Sequence, residues 1–275
     1  MADFSRLCIH QVTLLHQWDM ADFLAGMRRH GIPATAIWRD KLKETGAAET
    51  RRMIDGEGLA VTSLCAAGLV TSPDPISAAA AMDEVRRALD EAAMIGASNL
   101  MFVAGGVDPH EKSIEAARTR TLERLALLAP HARAVGVKLA LEPLHPMVCA
   151  TRSVLSTLAL ANDWCDALAD DDAFAIALDT YAVWWDPNLA AEIARAGRRL
   201  IAFHVNDWLA DTRDVRLDRG MMGDGLIDIR AIRQKVEAAG YTGYIEVEIF
   251  SERDWWRRDP DEVVDIIKGR YRSVV

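Results

Sequence analysis

The sequence predicts an α/β fold, a (β/α)8 TIM barrel, in which residues 1–275 form a single domain. Three observations predict it. Short apolar runs alternate with segments of helical periodicity, the alternation repeats eight times, and we find no linker or low-complexity segment between the repeats. Closed barrels of this kind commonly take about 250 residues. An open doubly wound sheet fits less well, because the eight units use the whole chain and leave no second domain.

The predicted strands are short runs rich in aliphatic and β-branched residues. They span residues 7–13, 34–38, 60–66, 99–105, 137–143, 174–180, 200–207 and 244–250. Several of the helices between them end at a glycine just before a strand, as a left-handed C-cap requires, at Gly31, Gly96, Gly136, Gly197 and Gly240. The longest irregular stretch, residues 209–228, is too long for a simple connection and is a candidate active-site loop.

Composition and charge exclude several classes of function. The formal net charge of -9 repels a phosphate backbone, which argues against a nucleic-acid partner. No apolar run approaches the roughly 18–20 residues that span a bilayer, and the first residues do not resemble a signal peptide. We therefore expect a cytoplasmic protein without membrane contact. The cysteines lie far apart without a CxxC pair, which argues against a disulfide framework or a zinc ribbon.

Four consecutive strands carry a polar residue at or near their C-terminal ends, where the active site of such a barrel lies. These residues are Glu142, Asp179, His204 and Glu248. Because side chains two positions apart share a face of a strand, the residues below them are Ala140, Ala177, Ala202 and Glu246. Three of these four are alanine. Small side chains under a polar ring indicate that these faces point into the barrel.

Three carboxylates and an imidazole that converge at one point would repel one another strongly without a cation. Any one of these residues alone is more typical of a solvated strand end or a satisfied buried polar group, but four in register are not. Their three oxygens and one nitrogen suit Mn²⁺ or Mg²⁺, with Co²⁺ as an alternative, better than a structural zinc site. The sequence therefore predicts a divalent-metal site.

Five segments together carry a family resemblance: LALEPLHP, ALDTYAVWWDP, FHVNDW, DRGMMGDGLIDI and GYTGYIEVEIFSE. They resemble the xylose isomerase-like TIM barrels, specifically the sugar phosphate isomerase/epimerase family, over essentially the whole chain. The resemblance implies that Glu142, Asp179, His204 and Glu248 bind the metal. It also implies that Glu142 and Glu248 act as an acid/base pair, as the two glutamates do in the related ketose 3-epimerases.

The chain departs from the family pattern at one position. Family members commonly have a histidine three residues after the aspartate that corresponds to Asp179. This chain has Ala182 at that position, in the segment DTYA. His145, which two prolines flank closely, is a candidate replacement and a candidate catalytic residue. A surface loop histidine is the alternative interpretation.

The remaining candidates are substrate-binding residues. Trp38 and Trp184 could wall a sugar pocket, although core packing is an equally good interpretation of each. His10 lies late in strand one, and Asp207 could orient His204 or a water. Arg213, like Arg219 in the same loop, could bind a substrate carboxylate or hydroxyls, or be solvated.

We expect an isomerase or epimerase of carbohydrate metabolism that transfers a proton next to a carbonyl through a metal-bound enediolate. The alternative is a metal-dependent lyase on the same scaffold, either a dehydratase or a 3-oxo-glycoside eliminase like relatives that resemble C-glycoside deglycosidases. An abasic-site endonuclease would need more metals and histidines, and a non-catalytic sugar-binding subunit draws support only from Ala182. The expected partner is a small sugar-derived substrate, without a phosphate since no P-loop-like glycine run is present. A homo-oligomer is left open.

Overall fold

Eight parallel strands close into a barrel in the computed structural model, which describes residues 3–275. The strands are β1 (Leu7–His10), β2 (Ala34–Trp38), β3 (Ala60–Gly68), β4 (Asn99–Val103), β5 (Lys138–Leu141), β6 (Phe174–Asp179), β7 (Leu200–Val205) and β8 (Ile245–Val247). Each strand pairs with the next in the chain, and β8 pairs with β1 to close the sheet. The predicted (β/α)8 barrel is confirmed.

Helices follow the strands and surround the barrel. They are α1 (Met20–Arg29), α2 (Arg39–Thr45), α3 (Ala47–Glu57), α4 (Pro75–Ile95), α5 (Ile114–Val135), α6 (Leu158–Leu168), α7 (Thr180–Val183), α8 (Leu189–Ala196), α9 (Ile229–Ala238) and α10 (Pro260–Ser273). Short 3-10 helices lie at Gln11–Leu14, Pro146–Val148, Gly197–Arg199 and Trp255–Arg257. Of the predicted cap glycines, Gly96 and Gly136 end α4 and α5 in the left-handed conformation, with φ of 77° and 70°.

Several predicted strands were too long. The prediction that the first strand reaches residue 13 was wrong, because the chain turns into a 3-10 helix directly after His10. Strands β5 and β8 end at Leu141 and Val247, so Glu142 and Glu248 each lie one residue beyond the regular ladder. Both residues are thus carried by backbone that has just left the sheet at the carboxyl rim.

The inside of the barrel below the rim is filled by small side chains. Its buried cluster consists of Ala36, Cys65, Met101, Ala140, Ala177 and Ala202. This confirms that the alanines two positions before the polar residues of β5, β6 and β7 face inward. The larger apolar residues, such as Phe23, Phe102 and Phe203, are buried in the layer between the sheet and the helices. Because most of these side chains are small, there is room for polar side chains above them at the carboxyl rim.

Within residues 3–275, none of the helices combines the length and the apolar character needed to cross a bilayer. The cysteines Cys8, Cys65, Cys149 and Cys165 are all free thiols.

Candidate metal centre

The four polar residues predicted from the strand ends lie together at the carboxyl rim. One ligand atom from each of Glu142, Asp179, His204 and Glu248 falls within 4.8 Å of the others. All four side chains are buried, with Asp179 and His204 fully inaccessible. The four side chains lie close together because β5 to β8 are neighbouring strands of the barrel, and the carboxyl ends of these strands meet at one rim.

His204 faces the carboxylates with an imidazole that lacks hydrogen bonds. Its Nδ1 lies 3.2 Å from Oε1 of Glu142 and 3.8 Å from Oε2 of Glu248. Among residues 3–275 neither ring nitrogen has a hydrogen-bond partner. A buried polar atom without a partner is costly, so a ring nitrogen in this position fits a metal ligand well.

Asp179 is held by side chains and backbone from two neighbouring strands. Its Oδ1 accepts hydrogen bonds from Nδ2 of Asn206 at 3.0 Å and from the amide of Tyr181 at 2.9 Å. Asn206 Nδ2 also donates to the carbonyl of Glu248 at 2.9 Å. Asn206 was missed by the sequence analysis, although it lies two residues after His204 and so shares its face of the chain. Its role is to tie the ends of β6, β7 and β8 together.

Arg219 reaches the cluster from the long loop. Its Nη1 donates to Oδ2 of Asp179 at 2.9 Å and to Oε2 of Glu248 at 3.0 Å. The guanidinium lies 4.7 Å from the ring of Tyr181 and 4.6 Å from that of Phe250. Burial works against its charge, but attraction to the two carboxylates outweighs burial and raises the pKa of Arg219. Arg219 is therefore a fixed positive charge beside the site.

The charge and the donor set of the cluster fit a divalent cation. Three carboxylates face one guanidinium, which leaves two net negative charges in a buried space. Uncompensated buried charge of this size is strongly unfavourable, and a divalent cation would neutralise it. Carboxylate oxygens with one imidazole nitrogen are ligands that Mn²⁺ and Mg²⁺ accept.

The two glutamates of the cluster differ in their protonation. Burial raises the pKa of Glu142, and repulsion from Glu248 adds to this effect. Burial also acts to raise the pKa of Glu248, but the hydrogen bond from His10 and the nearby positive groups outweigh it and hold the pKa well below its ordinary value. In the protein chain alone, Glu142 is thus the carboxyl that protonates more readily, and Glu248 is the one that stays ionised.

His10 lies beneath the cluster, between two glutamates of β8. Its Nδ1 is 3.2 Å from Oε1 of Glu248 and its Nε2 is 2.9 Å from Oε2 of Glu246. Thr62 donates to the same oxygen of Glu246 at 2.7 Å. Burial opposes the charged imidazole, yet the hydrogen-bonding neighbours Cys65, Glu246 and Glu248 outweigh burial and raise the pKa of His10. His10 therefore holds the Glu248 carboxylate in place from the inside of the barrel.

Cavities open from the cluster toward the rim. Glu142, Glu248 and Arg219 line a small one of about 60 Å³, and Trp38 lines both this cavity and a neighbouring one of about 270 Å³. The Trp38 ring packs edge-on against Phe250 with centroids 5.5 Å apart. Of the predicted pocket walls, Trp38 lies beside the cluster, whereas Trp184 packs against the hydrophobic core.

His145 lies in the wall on the Asp179 side of the site. It lines a small cavity together with Asp179, Ala182 and Arg219. Its ring lies 4.6 Å from that of Trp208, and partial burial lowers the pKa of His145. The imidazole therefore borders the same space as the alanine that replaces the family histidine.

Asp207 and Arg213 lie away from the carboxylate cluster: Asp207 bonds to the backbone of the long loop, and Arg213 is on its surface. Oδ1 of Asp207 accepts from the amides of Trp208 at 2.9 Å and Ile227 at 3.0 Å, and Oδ2 accepts from the amide of Gly223 at 2.9 Å. Its carboxylate thus joins the two ends of the loop. Arg213 is exposed and lines none of the cavities at the cluster.

The fold and this cluster define the class: a (β/α)8 barrel whose carboxyl rim carries a carboxylate–histidine site suited to a divalent cation. A family model described as xylose isomerase-like TIM barrel matches residues 24–268, and the chain belongs to this family. No curated protein matches the chain.

Three solved structures illustrate the likeness. The chain is similar to protein SMc04130 from Sinorhizobium meliloti 1021, with 45% identity, a TM-score of 0.96 and 99% of each chain covered. It shares its fold with the IolI protein, solved with a zinc atom, at 19% identity and a TM-score of 0.85 over 98% of each chain. It also shares its fold with a D-allulose 3-epimerase from Methylomonas sp., at 22% identity and a TM-score of 0.79 over 98% of each chain.

Proposed function

We propose that the protein is a divalent-metal-dependent sugar isomerase or epimerase that moves a proton on a carbon next to a carbonyl. The observation that carries the proposal is the geometry of the cluster, in which Glu142 and Glu248 are buried together with Asp179 and His204 and a substrate bound there would meet two carboxyls. In the metal-free chain the surroundings of these two glutamates also shift their pKa values in opposite directions. Such a pair is the usual arrangement for a general acid and a general base. The epimerase among the structures of the same fold is consistent with this activity.

Glu142, Asp179, His204 and Glu248 would hold the cation, with Mn²⁺ or Mg²⁺ as the expected metal and Co²⁺ as the alternative. When bound, a divalent cation polarises a carbonyl and its adjacent hydroxyl and so acidifies the C–H bond between them. Asn206 fixes the orientation of Asp179, and the burial of the four side chains keeps bulk water away from them.

The chain's own groups then carry the proton. Glu248, held ionised by His10 and Arg219, removes the proton from the carbon, and an enediolate forms on the substrate. Glu142, in its carboxylic acid form, gives a proton to one of the two carbons of the enediolate, and proton exchange with solvent restores both glutamates. Return to the opposite face of the same carbon gives an epimer, and return to the adjacent carbon gives an isomer.

The substrate would lie in the cavities above the cluster. Trp38 provides an aromatic wall next to Glu142 and Glu248 and is the predicted contact that the geometry supports best. Of the other predicted contacts, His10 acts through Glu248, and Asp207 acts through the loop that carries Arg219. Trp184 and Arg213 lie away from the cavities and stay predictions.

A lyase is the second candidate, and the position of His145 favours it. This imidazole lines the cavity that also contains Asp179, outside the carboxylate cluster. After proton removal by Glu248, a group on the β-carbon could leave if His145 passed a proton to it. Partial burial lowers the pKa of His145 and favours the neutral imidazole, so His145 would have to take up a proton from the substrate or solvent first.

The test is a screen of the Mn²⁺-loaded protein in D₂O against ketoses and 3-oxo-glycosides, with the carboxylated and phosphorylated derivatives of both classes included. Isomerisation or epimerisation conserves the mass of the substrate apart from one deuterium, whereas elimination lowers it by the departing group. Glu142→Gln and Glu248→Gln should abolish deuterium incorporation, and Glu44→Gln, an exposed control on α2, should not. Deuterium exchange that persists in both site variants, or no exchange with any compound of these two classes, would contradict the proposal.

A further inference from the structure

Three arginines line the small cavities that border the carboxylate cluster. Arg152, Arg216 and Arg219 all line the cavity that contains Glu142 and Glu248, and the same three line the cavity that contains Asp179. Arg219 is engaged by Asp179 and Glu248. Arg152 and Arg216 have no role in the reaction described above. They place two positive charges beside the cavities of a protein whose formal net charge is -9.

Arg152 is half-buried and has no anionic partner. It follows the 3-10 helix Pro146–Val148, and its guanidinium forms no ion pair or hydrogen bond with residues 3–275. Burial is the main cause that lowers the pKa of Arg152, and Arg216 and Arg219 add repulsion. Attraction to Glu142 opposes these effects without an ion pair between the two side chains. A partly desolvated cation that like charges surround is unfavourable until an anion joins it.

Arg216 approaches the same space from the long loop. Its amide donates to Oδ1 of Asp214 at 2.7 Å, which fixes the turn that carries it. The side chain is exposed and makes no ion pair with a carboxylate of the described residues, 3–275. Because Asp207 joins the ends of this loop, Arg216 is presented to the cavity by an anchored segment.

Two other basic residues that line the larger cavity differ from Arg152, because carboxylates already neutralise them. Arg39 and Lys43 line the larger cavity, but Arg39 is paired with Glu84 at 2.7 Å and Glu91 at 2.6 Å, and Lys43 lies 3.5 Å from Glu84. Of the basic residues that line these cavities, Arg152 and Arg216 are therefore the ones without a carboxylate partner among residues 3–275, and both lie next to the cluster.

We propose that Arg152 and Arg216 form an anion subsite and that the substrate is a sugar derivative bearing a carboxylate or a phosphate monoester. This inference rests on the proposed function, since it places the carbonyl end of the substrate at Glu142 and Glu248 and its acidic end at the two arginines. Guanidinium groups bind either anion through paired N–H donors, so both sources share one recognition chemistry. A phosphate held in this way needs no P-loop, so the proposal departs from the expectation of an unphosphorylated substrate. The subsite selects acidic substrates over neutral sugars of the same length.

The test measures the affinities of three unreactive five-carbon probes: neutral ribitol, the carboxylate ribonate and the phosphate monoester ribitol 5-phosphate. Titration calorimetry is performed on the full chain with Mn²⁺ and again with a chelator. At least one anionic probe should bind more tightly than ribitol by on the order of tenfold to a hundredfold, the range of a charge-assisted hydrogen bond. A preference for ribonate identifies a sugar acid, and a preference for ribitol 5-phosphate identifies a sugar phosphate.

Arg152→Met and Arg216→Met should each reduce the preference for the anionic probe by about tenfold or more, and Arg152→Lys should retain part of it. Arg28→Met, which removes an exposed arginine in the last turn of α1, should leave it unchanged. Because Arg216 is exposed, its replacement tests the subsite even if Arg152→Met impairs folding.

Equal affinities of the wild type for ribitol and both anions, absence of anion binding, or a preference that Arg216→Met leaves at its wild-type value would overturn the subsite. These outcomes are separable from a failure of the proposed function. If the D₂O screen shows no exchange but the anions still bind in an Arg216-dependent manner, the proposed reaction fails and the subsite stands.

Discussion

Asn206 donates a hydrogen bond from Nδ2 to Oδ1 of Asp179 at 3.0 Å, and both side chains are fully buried. The same nitrogen donates to the backbone of the residue that follows β8. One amide group therefore sets the direction of a carboxylate from β6 and holds it against the end of β8. A carboxylate oriented in this manner presents its other oxygen, Oδ2, to the cluster without losing rotamer freedom when a cation binds.

We expect Asn206→Ala to weaken Mn²⁺ binding by about 10- to 100-fold, the usual effect of removing a group that orients a metal ligand. Asn162→Ala is the matched control. Asn162 is also fully buried, but it bonds to the carbonyl of Glu192 at 3.0 Å and the Glu192 carboxylate at 2.9 Å, outside the cluster. Calorimetry should show reduced metal affinity only in Asn206→Ala. Equal metal affinity in the two variants would contradict the orienting role.

Divalent metal should stabilise the fold through His204. Because His204 has no hydrogen-bond partner among residues 3–275 and faces the carboxylates, it should contribute to metal binding and little to the stability of the metal-free chain. Mn²⁺ at a hundred times its Kd should raise the free energy of unfolding by about 2.7 kcal/mol. His204→Ala should remove most of this increase, which thermal unfolding with Mn²⁺ and with a chelator measures. A Tm that Mn²⁺, Mg²⁺ and chelator all leave unchanged would refute the metal site.

Replacing either glutamate of the pair by glutamine should slow turnover sharply while the fold persists. A general acid or base contributes about 10²- to 10⁴-fold to the rate, so Glu142→Gln and Glu248→Gln should lower kcat by at least this factor. Both residues also belong to the cluster, so kcat is measured at saturating Mn²⁺ with the bound metal quantified. A variant that binds metal normally and retains kcat would exclude that glutamate from proton transfer.

Asp207→Ala should loosen the loop of residues 208–227 more than it weakens the barrel. The carboxylate accepts three backbone amides, and each buried amide left without a partner costs about 1–3 kcal/mol. Hydrogen exchange of these amides should accelerate while exchange in the strands changes little. Activity should fall as well, because the loop carries Arg219. If Asp207 instead contacts the substrate, KM rises and the loop keeps its protection.

The sequence predicts those residues of the site that belong to a periodic segment, and it misses those whose position depends on the loop or on the closed barrel. Glu142, Asp179, His204 and Glu248 could be found because each ends an apolar strand and a barrel gathers its strand ends. Arg219 lies in a loop without periodicity, so nothing local distinguishes it from Arg213. His10 and Glu246 pair only because the closed barrel places β1 beside β8, with Cys8 opposite Glu246. Strand order of that kind is a property of the whole fold, beyond the reach of a short sequence window.

The strand boundaries have a similar explanation. The apolar alternation of the first strand continues past His10, so the pattern favours strand to residue 13, yet the chain there forms a 3-10 helix whose residues are equally buried. Burial alone does not separate the two conformations. What decides is the neighbouring backbone, since the amide of Ile249 bonds to the hydroxyl of Thr13 and not to a strand carbonyl.

Acid should weaken the ion pairs of Glu84, within α4 and between α4 and α2, in a defined pH range. Glu84 of α4 bonds to Arg87 and to the buried Arg39 of α2, and the hydrogen bond from Arg87, aided by Arg39, lowers the pKa of Glu84 from 4.5 to about 2. A carboxyl with a lowered pKa stabilises the fold above its unfolded pKa, and this contribution is lost as the pH falls toward 2. The carboxylate is 36% exposed, so solvent screening limits its contribution to about 1 kcal/mol or less.

Glu84→Gln should therefore lower the free energy of unfolding at pH 7, and the difference from wild type should shrink by roughly half at pH 3. Urea unfolding at the two pH values measures this difference. Glu44→Gln is the control, because Glu44 is 63% exposed and, within residues 3–275, pairs only with Lys41 of its own helix. It should change the free energy of unfolding little at either pH. A Glu84→Gln effect that is as large at pH 3 as at pH 7 would show that packing of the side chain, and not its charge, joins α4 to α2.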